Sequence, residues 1–238
     1  MPYLKHSQVP REAARDELAQ ITARFVQATA RAIDIGFDII ELHCAHGYLL
    51  SSFLSPLTNK RTDDYGGSLE NRCRYPLEVF QAMRAAWPAD KPMSVRLSCH
   101  DWAPGGNTVE DAVHIAAIFK EAGADIIGCS SGQVVKEEKP VYGRMYQTPF
   151  SDRIRNEARV PTIAVGNIFE FDHVNTIIAA GRADLCALAR PHLADPFWTF
   201  HAAAAQQYTD VVWPKQYYMG RVQLERNLER AAQLALQA

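Results

Sequence analysis

Residues 122–128, AGADIIG, and residues 180–186, AGRADLC, decide the fold. In both, a helical stretch stops at a glycine and a short apolar run follows at once, as when a helix returns into a buried strand. The same rhythm extends in both directions. FDIIELHC (37–44) follows Gly36, and the helix predicted before it, over 11–36, carries Leu18, Ile21, Phe25, Ala28 and Ala32 as one apolar stripe. PMSVRLSC (92–99) follows a helix over 68–87, and ADIIGCS (124–130) follows one over 108–122. TIAVGNI, opened by Pro161, follows a helix over 148–158, and ADLCALAR (183–190) follows one over 169–180. A helix near 196–207 and a charged helix from Gly220 complete the chain.

The pattern is five parallel βα units, with strands expected to be apolar on both faces because helices cover such sheets. No G-x-G-x-x-G follows any strand, which argues against an open dinucleotide-binding sheet. Internal similarity between units favours an α/β fold of the (β/α)8 TIM-barrel type, and a complete barrel has eight strands. The expectation is therefore one partial-barrel domain over 1–238, carrying about the last five βα units, with a C-terminal helix over 220–238. Its first strands would be absent, carried elsewhere, or supplied by an upstream segment or partner. The open interior is expected to be lined by Val, Ile and Leu, and the unpaired edges to favour a homo-oligomer.

Twenty-five Lys and Arg against 27 Asp and Glu give a net charge of −2, without the footprint of a general nucleic-acid binder. The cysteines Cys44, Cys73, Cys99, Cys129 and Cys186 are odd in number and form no C-x-x-C, against a disulfide framework or zinc module. Apolar runs fall far below the roughly 18 residues of a membrane span. Residues 1–20 hold no apolar signal core, so a cytoplasmic protein is expected.

Barrel chemistry sits where the strands end. Here those ends bring His43, Cys44, His46 and Tyr48 after the first strand, Arg96 near the end of the second, and Ser130-Ser131-Gly132 after the third. Gly166-Asn167 follow the fourth and Ala189-Arg190 the fifth. Such a set suits an anionic cofactor and an acceptor that needs hydrogen-bond donors. His43 and His46 lie three apart, so both reach one site only if the chain bends after Cys44. The pair could in principle be two metal ligands, but no third ligand lies at useful spacing, and no metal is expected. Arg96 within a buried strand needs either a bound anion or a carboxylate such as Glu41. Tyr48 read alone could be a packing aromatic, and the loop 132–150 with Lys136, Lys139, Arg144, Tyr142 and Tyr146 reads as a solvated loop or a lid.

The segment HCAHGYLLSSFLSPLTNKRTDDYGGSLENRCRYPLEVF (43–80), the Arg96 strand, the SSG turn, AVGNI and ALARPHLADP together resemble the old yellow enzyme family of FMN-dependent ene-reductases. More narrowly, HCAHGYLLSSFLSPLTN and WPKQYYMGRVQLERNL are similar to the reductase half of bifunctional flavoenzymes acting on aminobenzoyl-CoA or salicylyl-CoA. The resemblance implies FMN as cofactor, NAD(P)H as reductant, and an enone or aryl-CoA thioester as small-molecule substrate. It assigns His43 and His46 as donors to the substrate oxygen and Tyr48 as the proton source. It assigns Arg96 to the flavin ring, and Gly166, Asn167, Ala189 and Arg190 to the phosphate. Many relatives carry Gly at position 189, so an alanine there needs an ordinary negative φ. Lys60, Arg61, Asp63, Tyr65, Asn71 and Arg72 are expected to fix the long loop. Two other readings stand beside this one: an incomplete part of a larger bifunctional flavoenzyme, and a different phosphate-binding barrel enzyme, which would need a strand-end lysine that is missing.

Overall fold

The computed structural model describes residue 3 and residues 6–236. It forms two compact units, one of residues up to Ile168 together with Asp172–Ala187, the other of Phe169–Phe171 and the residues from Leu188 onward.

The first unit opens with α1 (Arg15–Ile35). The expected start at residue 11 moves inward because the Glu17 carboxylate accepts the Ala14 N–H at 2.8 Å, which satisfies a free donor of the first turn. Gly36 ends the helix with φ 89°. β1 (Ile40–Cys44) follows, then a six-residue helix α2 (Leu49–Leu54) that the sequence reading left as loop. α3 (Leu69–Ala86) is capped by Ser68, whose side chain accepts the Asn71 N–H. β2 (Met93–Ser98), α4 (Val109–Glu121), β3 (Ile126–Ser130), α5 (Thr148–Arg153) and β4 (Thr162–Val165) continue the alternation. The run predicted as one helix over 148–158 is α5 followed by a turn of π-helix, Ile154–Ala158. α6 (Phe171–Ala179) and β5 (Leu185–Ala187) complete the sheet.

The sheet order is β1-β2-β3-β4-β5 with every neighbour parallel. Strands that add in chain order without reversal are winding in one direction, the barrel pattern; a doubly wound sheet reverses. Alternation along each strand divides the two faces. Leu42, Cys44, Met93, Val95, Leu97, Ile127 and Cys129 turn toward the helices and join Leu50, Phe53, Val79, Phe80 and Phe119 in the core. The opposite, inner face carries Glu41 and His43, then Ser94, Arg96 and Ser98, then Ile126, Gly128 and Ser130, then Ile163 and Val165, then Leu185 and Ala187.

The expected Val/Ile/Leu interior is thus corrected: three of the five strands turn polar side chains inward, and only β4 and β5 are apolar there. ELHC and SVRLS alternate with period two, and a strand covered by helices needs apolar residues at only half its positions. Among the described residues β1 and β5 each pair with one strand, and Leu185 is 54% exposed.

The second unit holds α7 (Arg190–Ala194), α8 (Trp198–Ala205) and α9 (Tyr218–Ala235). Phe200 stacks on Trp213 at 4.1 Å, and Phe197 meets Tyr217 edge-on. α9 is the helix expected over 220–238, of which 237–238 lie outside the described residues. No described helix is long and apolar enough to cross a membrane.

Candidate active site

The end of β1 makes the bend that the histidine spacing requires. The strand stops at Cys44, and His46 takes a left-handed φ of 61°. The turn brings the His43 and His46 rings to 5.2 Å, edge to face. Tyr48 sits at the N-cap of α2, its ring 5.3 Å from His43. Arg96 is the direct cross-strand partner of His43. Three side chains of one turn and one from the next strand therefore share the inner face.

Arg96 donates from Nε to Ser130 Oγ at 2.8 Å, and its Nη1 lies 4.0 Å from Glu41 Oε1. The other Glu41 oxygen accepts from Ser94 Oγ at 2.8 Å. The carboxylate alternative is thus met only at long range, and the remaining guanidinium N–H groups have no hydrogen-bond partner among the described residues. Burial pushes the His46 imidazole down to about 4, helped by Arg96 and then His43. Burial and Arg96 also lower His43, against Glu41. Both rings are neutral at pH 7, each with one N–H to donate. Cys44 faces the helices rather than the mouth, and burial pushes its thiol well up, so no thiolate forms there.

Gly166 and Asn167 follow β4 with φ of 110° and 53°. A Cβ on Gly166 would lie 2.4 Å from Gln147 Nε2, so only glycine lets the Gln147 side chain pack against this strand end. Beneath it runs a chain that the sequence reading missed: Trp102 Nε1 donates to Ser131 Oγ, Ser131 to Gln147 Oε1, and Gln147 Nε2 to the Val165 carbonyl. Trp102, Ser131 and Gln147 lie outside the strands and far apart in sequence, and no spacing signals their contact. Asn167 commits its side chain to the Gly143 carbonyl at 2.8 Å, and its own carbonyl accepts from Met145 N. The loop after β3 is tied down there, while Lys136, Lys139, Arg144 and Tyr142 stay exposed. Ala189 and Arg190 belong to the second unit; Ala189 caps α7 with φ −110°, an ordinary conformation for alanine.

The loop-fixing residues make their expected contacts. Arg61 forms two hydrogen bonds to Asp63 and one to the Ala13 carbonyl. Tyr65 donates to Glu78, and Lys60 to the Pro56 carbonyl. Arg72, 9% exposed, donates to the carbonyls of Leu54 and Gly67 and to Asn107 Oδ1. Through Arg72 the loop is tied to Leu54, the last residue of the helix that Tyr48 caps.

Residues 3–209 match the NADH:flavin oxidoreductase / NADH oxidase family. The chain belongs to this family. Members at high identity include the NADPH dehydrogenase of Geobacillus sp. strain WCH70, 43% identical over 92% of this chain and 64% of that protein. The NADPH dehydrogenase of Bacillus subtilis strain 168 is 41% identical over 91% of this chain and 63% of that protein. The chain therefore spans just under two thirds of the length of these relatives. Among solved structures, a 2-naphthoyl-CoA reductase in complex with 2-naphthoyl-CoA superposes with TM-score 0.76 at 28% identity, over 82% of this chain and 30% of that one. Morphinone reductase in complex with tetrahydroNAD gives TM-score 0.68 at 27% identity, over 85% of this chain and 53% of that one. Both likenesses agree with the old yellow enzyme resemblance and with the barrel-type winding of the sheet.

Proposed function

We propose that this chain carries the acceptor and flavin-facing portion of an FMN-dependent NAD(P)H oxidoreductase of the old yellow enzyme type. The observation that carries the reading is the gathering of two neutral imidazoles, a phenol and Arg96 on one inner face. The residues fit the group: Arg96, on the inner face beside His43, keeps guanidinium N–H groups without a hydrogen-bond partner among the described residues, with Glu41 at 4.0 Å. Bound FMN would supply hydride to an activated alkene, with NAD(P)H as its reductant.

The chain's own residues do the rest. His43 and His46 each donate an N–H to the acceptor's carbonyl oxygen, which draws charge toward it as an enolate develops. Tyr48 holds a proton for the α-carbon, since a phenol O–H is a workable acid toward an enolate. Arg96 would offset negative charge at the flavin ring, and the backbone N–H groups that follow β4 at Gly166 and Asn167 would face the phosphate. An aryl-CoA thioester is the favoured acceptor, because the tail 213–228 resembles CoA-ester reductases and the 2-naphthoyl-CoA reductase is similar in fold. Reduced thiols and a nicotinamide reductant suit the cytoplasm.

A second reading rests on the sheet edges. The exposed β1 and β5 edges and inner face take up further strands, from an upstream segment or a partner that includes a second copy, as in a larger bifunctional enzyme. The purified chain is examined for a flavin spectrum and for bleaching by NAD(P)H, alone and with an added segment that supplies the first barrel strands of a curated relative. Weak flavin retention alone and firm retention with that segment are expected. No bound flavin under either condition overturns the first reading; stoichiometric flavin on a monodisperse monomer overturns the second.

A further inference from the structure

The inner-face residue Ser98, at the end of β2, uses its hydroxyl twice. It accepts the His46 backbone N–H at 2.9 Å and donates to the Gly132 carbonyl at 3.0 Å. It is 9% exposed, so water is a poor substitute for either partner. His46 has φ 61° and Gln133 has φ 60°, both in the left-handed region that side chains avoid. The two turns press together: a Cβ on Gly47 would stand 2.5 Å from the Gln133 carbonyl oxygen, so only glycine admits this approach. The turn after β1 and the loop after β3 are thus joined through one hydroxyl. Ser98 pairs across the sheet with Ser130, which holds Arg96 instead.

We infer that Ser98 is a positioning residue: by fixing the His46 amide to the Gly132 carbonyl, it sets the stance of the His46 ring toward the acceptor oxygen. This rests on the reading that His43 and His46 receive that oxygen. The direct consequence is that the β1 turn and the β3 loop move together or not at all. Loss of the hydroxyl leaves a buried N–H and C=O unpaired and frees His46 to relax toward ordinary φ, swinging its ring away from His43.

The test uses the full chain loaded with FMN, together with the segment that secures the flavin if one is needed. Three variants are compared: Ser98→Ala, which removes both bonds; Ser98→Cys, which keeps the volume and weakens them; and Ser98→Thr, which keeps the hydroxyl. Two quantities are read: hydrogen exchange of the His46 amide, and the affinity for p-chlorophenolate from its charge-transfer band with flavin. Ser98→Ala should exchange His46 about tenfold faster and bind phenolate about tenfold more weakly at unchanged flavin content, a change of about 1.4 kcal/mol. Ser98→Thr should restore both, and Ser98→Cys should fall between, which keeps the test decisive if the alanine variant does not fold. Wild-type phenolate affinity or unchanged His46 exchange in the alanine or cysteine variant overturns the inference alone. A wild-type protein that holds flavin but gives no phenolate band overturns the functional reading, and the inference falls with it.

Discussion

Replacing each histidine in turn should weaken phenolate binding unequally. A hydrogen bond to a charged group contributes about 1.5–3 kcal/mol, and the value rises as the pair leaves water. His46 is partly buried and its imidazole is held down to about 4, whereas His43 is exposed and its lowering by burial and Arg96 is opposed by Glu41. His46→Ala should therefore cost near the upper end, ~3 kcal/mol or roughly 150-fold in Kd, and His43→Ala near the lower, ~1.5 kcal/mol or roughly 12-fold. The assay is titration of FMN-loaded protein with p-chlorophenolate, followed at the long-wavelength charge-transfer band. Both variants should keep their flavin, since neither imidazole is assigned to the ring or phosphate. Loss of flavin with unchanged phenolate affinity would refute the assignment. Equal or reversed losses would refute the argument from burial while leaving the donor role in place.

Tyr48→Phe should leave flavin reduction by NAD(P)H nearly intact in stopped flow and slow reoxidation by an enone by roughly 10²-fold, because only the second half-reaction needs the acid; equal slowing of both halves would mean a structural tyrosine. His46 is neutral when folded down to about 4 but titrates at its ordinary 6.5 when unfolded. The unfolded chain then binds more protons between those values, so stability should fall as pH drops from about 6.5 to about 4 and this contribution should level off below. Urea midpoints across that window should show a shallower slope in His46→Ala, and an identical slope counts against the lowered imidazole. Arg72→Met removes a buried guanidinium from three acceptors and should cost ~3–5 kcal/mol of unfolding free energy; a loss below ~1 kcal/mol would mean that water replaces it.

The strands were legible because each is a short apolar run behind a glycine or proline stop, and all five fall where those stops put them. Two helices were not. α2 and α7 have six and five residues, under two turns of period, too short for an apolar stripe to register. The break at Ile154 was hidden because residues 148–158 keep helical composition while the hydrogen-bond spacing changes. Of the site, the bend after Cys44 was inferable from the His43/His46 spacing, and Arg96 from a charge within an apolar strand. Ser94 and Ser98 carry no such mark, although SVRLS alternates plainly. A serine in a strand carries no signal of which partner it will meet, and Ser98 finds its partners 52 and 34 residues away.

The loop after β3 is moored at both feet. Gly132 is bonded at its N–H to His100 and at its carbonyl to Ser98, and at the far end Gly143 and Met145 are bonded to Asn167. Between them Val134 is buried and the Lys139 N–H donates to the Trp102 carbonyl at 2.8 Å, and beyond that tie residues 140–142 form a replaceable cassette. Doubling the length of a flexible segment costs only ~0.6 kcal/mol in closure entropy, so stretches of different length and charge can be grafted there. The histidines need not move when they are. Variation in acceptor size can then accumulate in residues 140–142, and chimeras cut at 139 and 143 should inherit the donor's preference on this chain's chemistry.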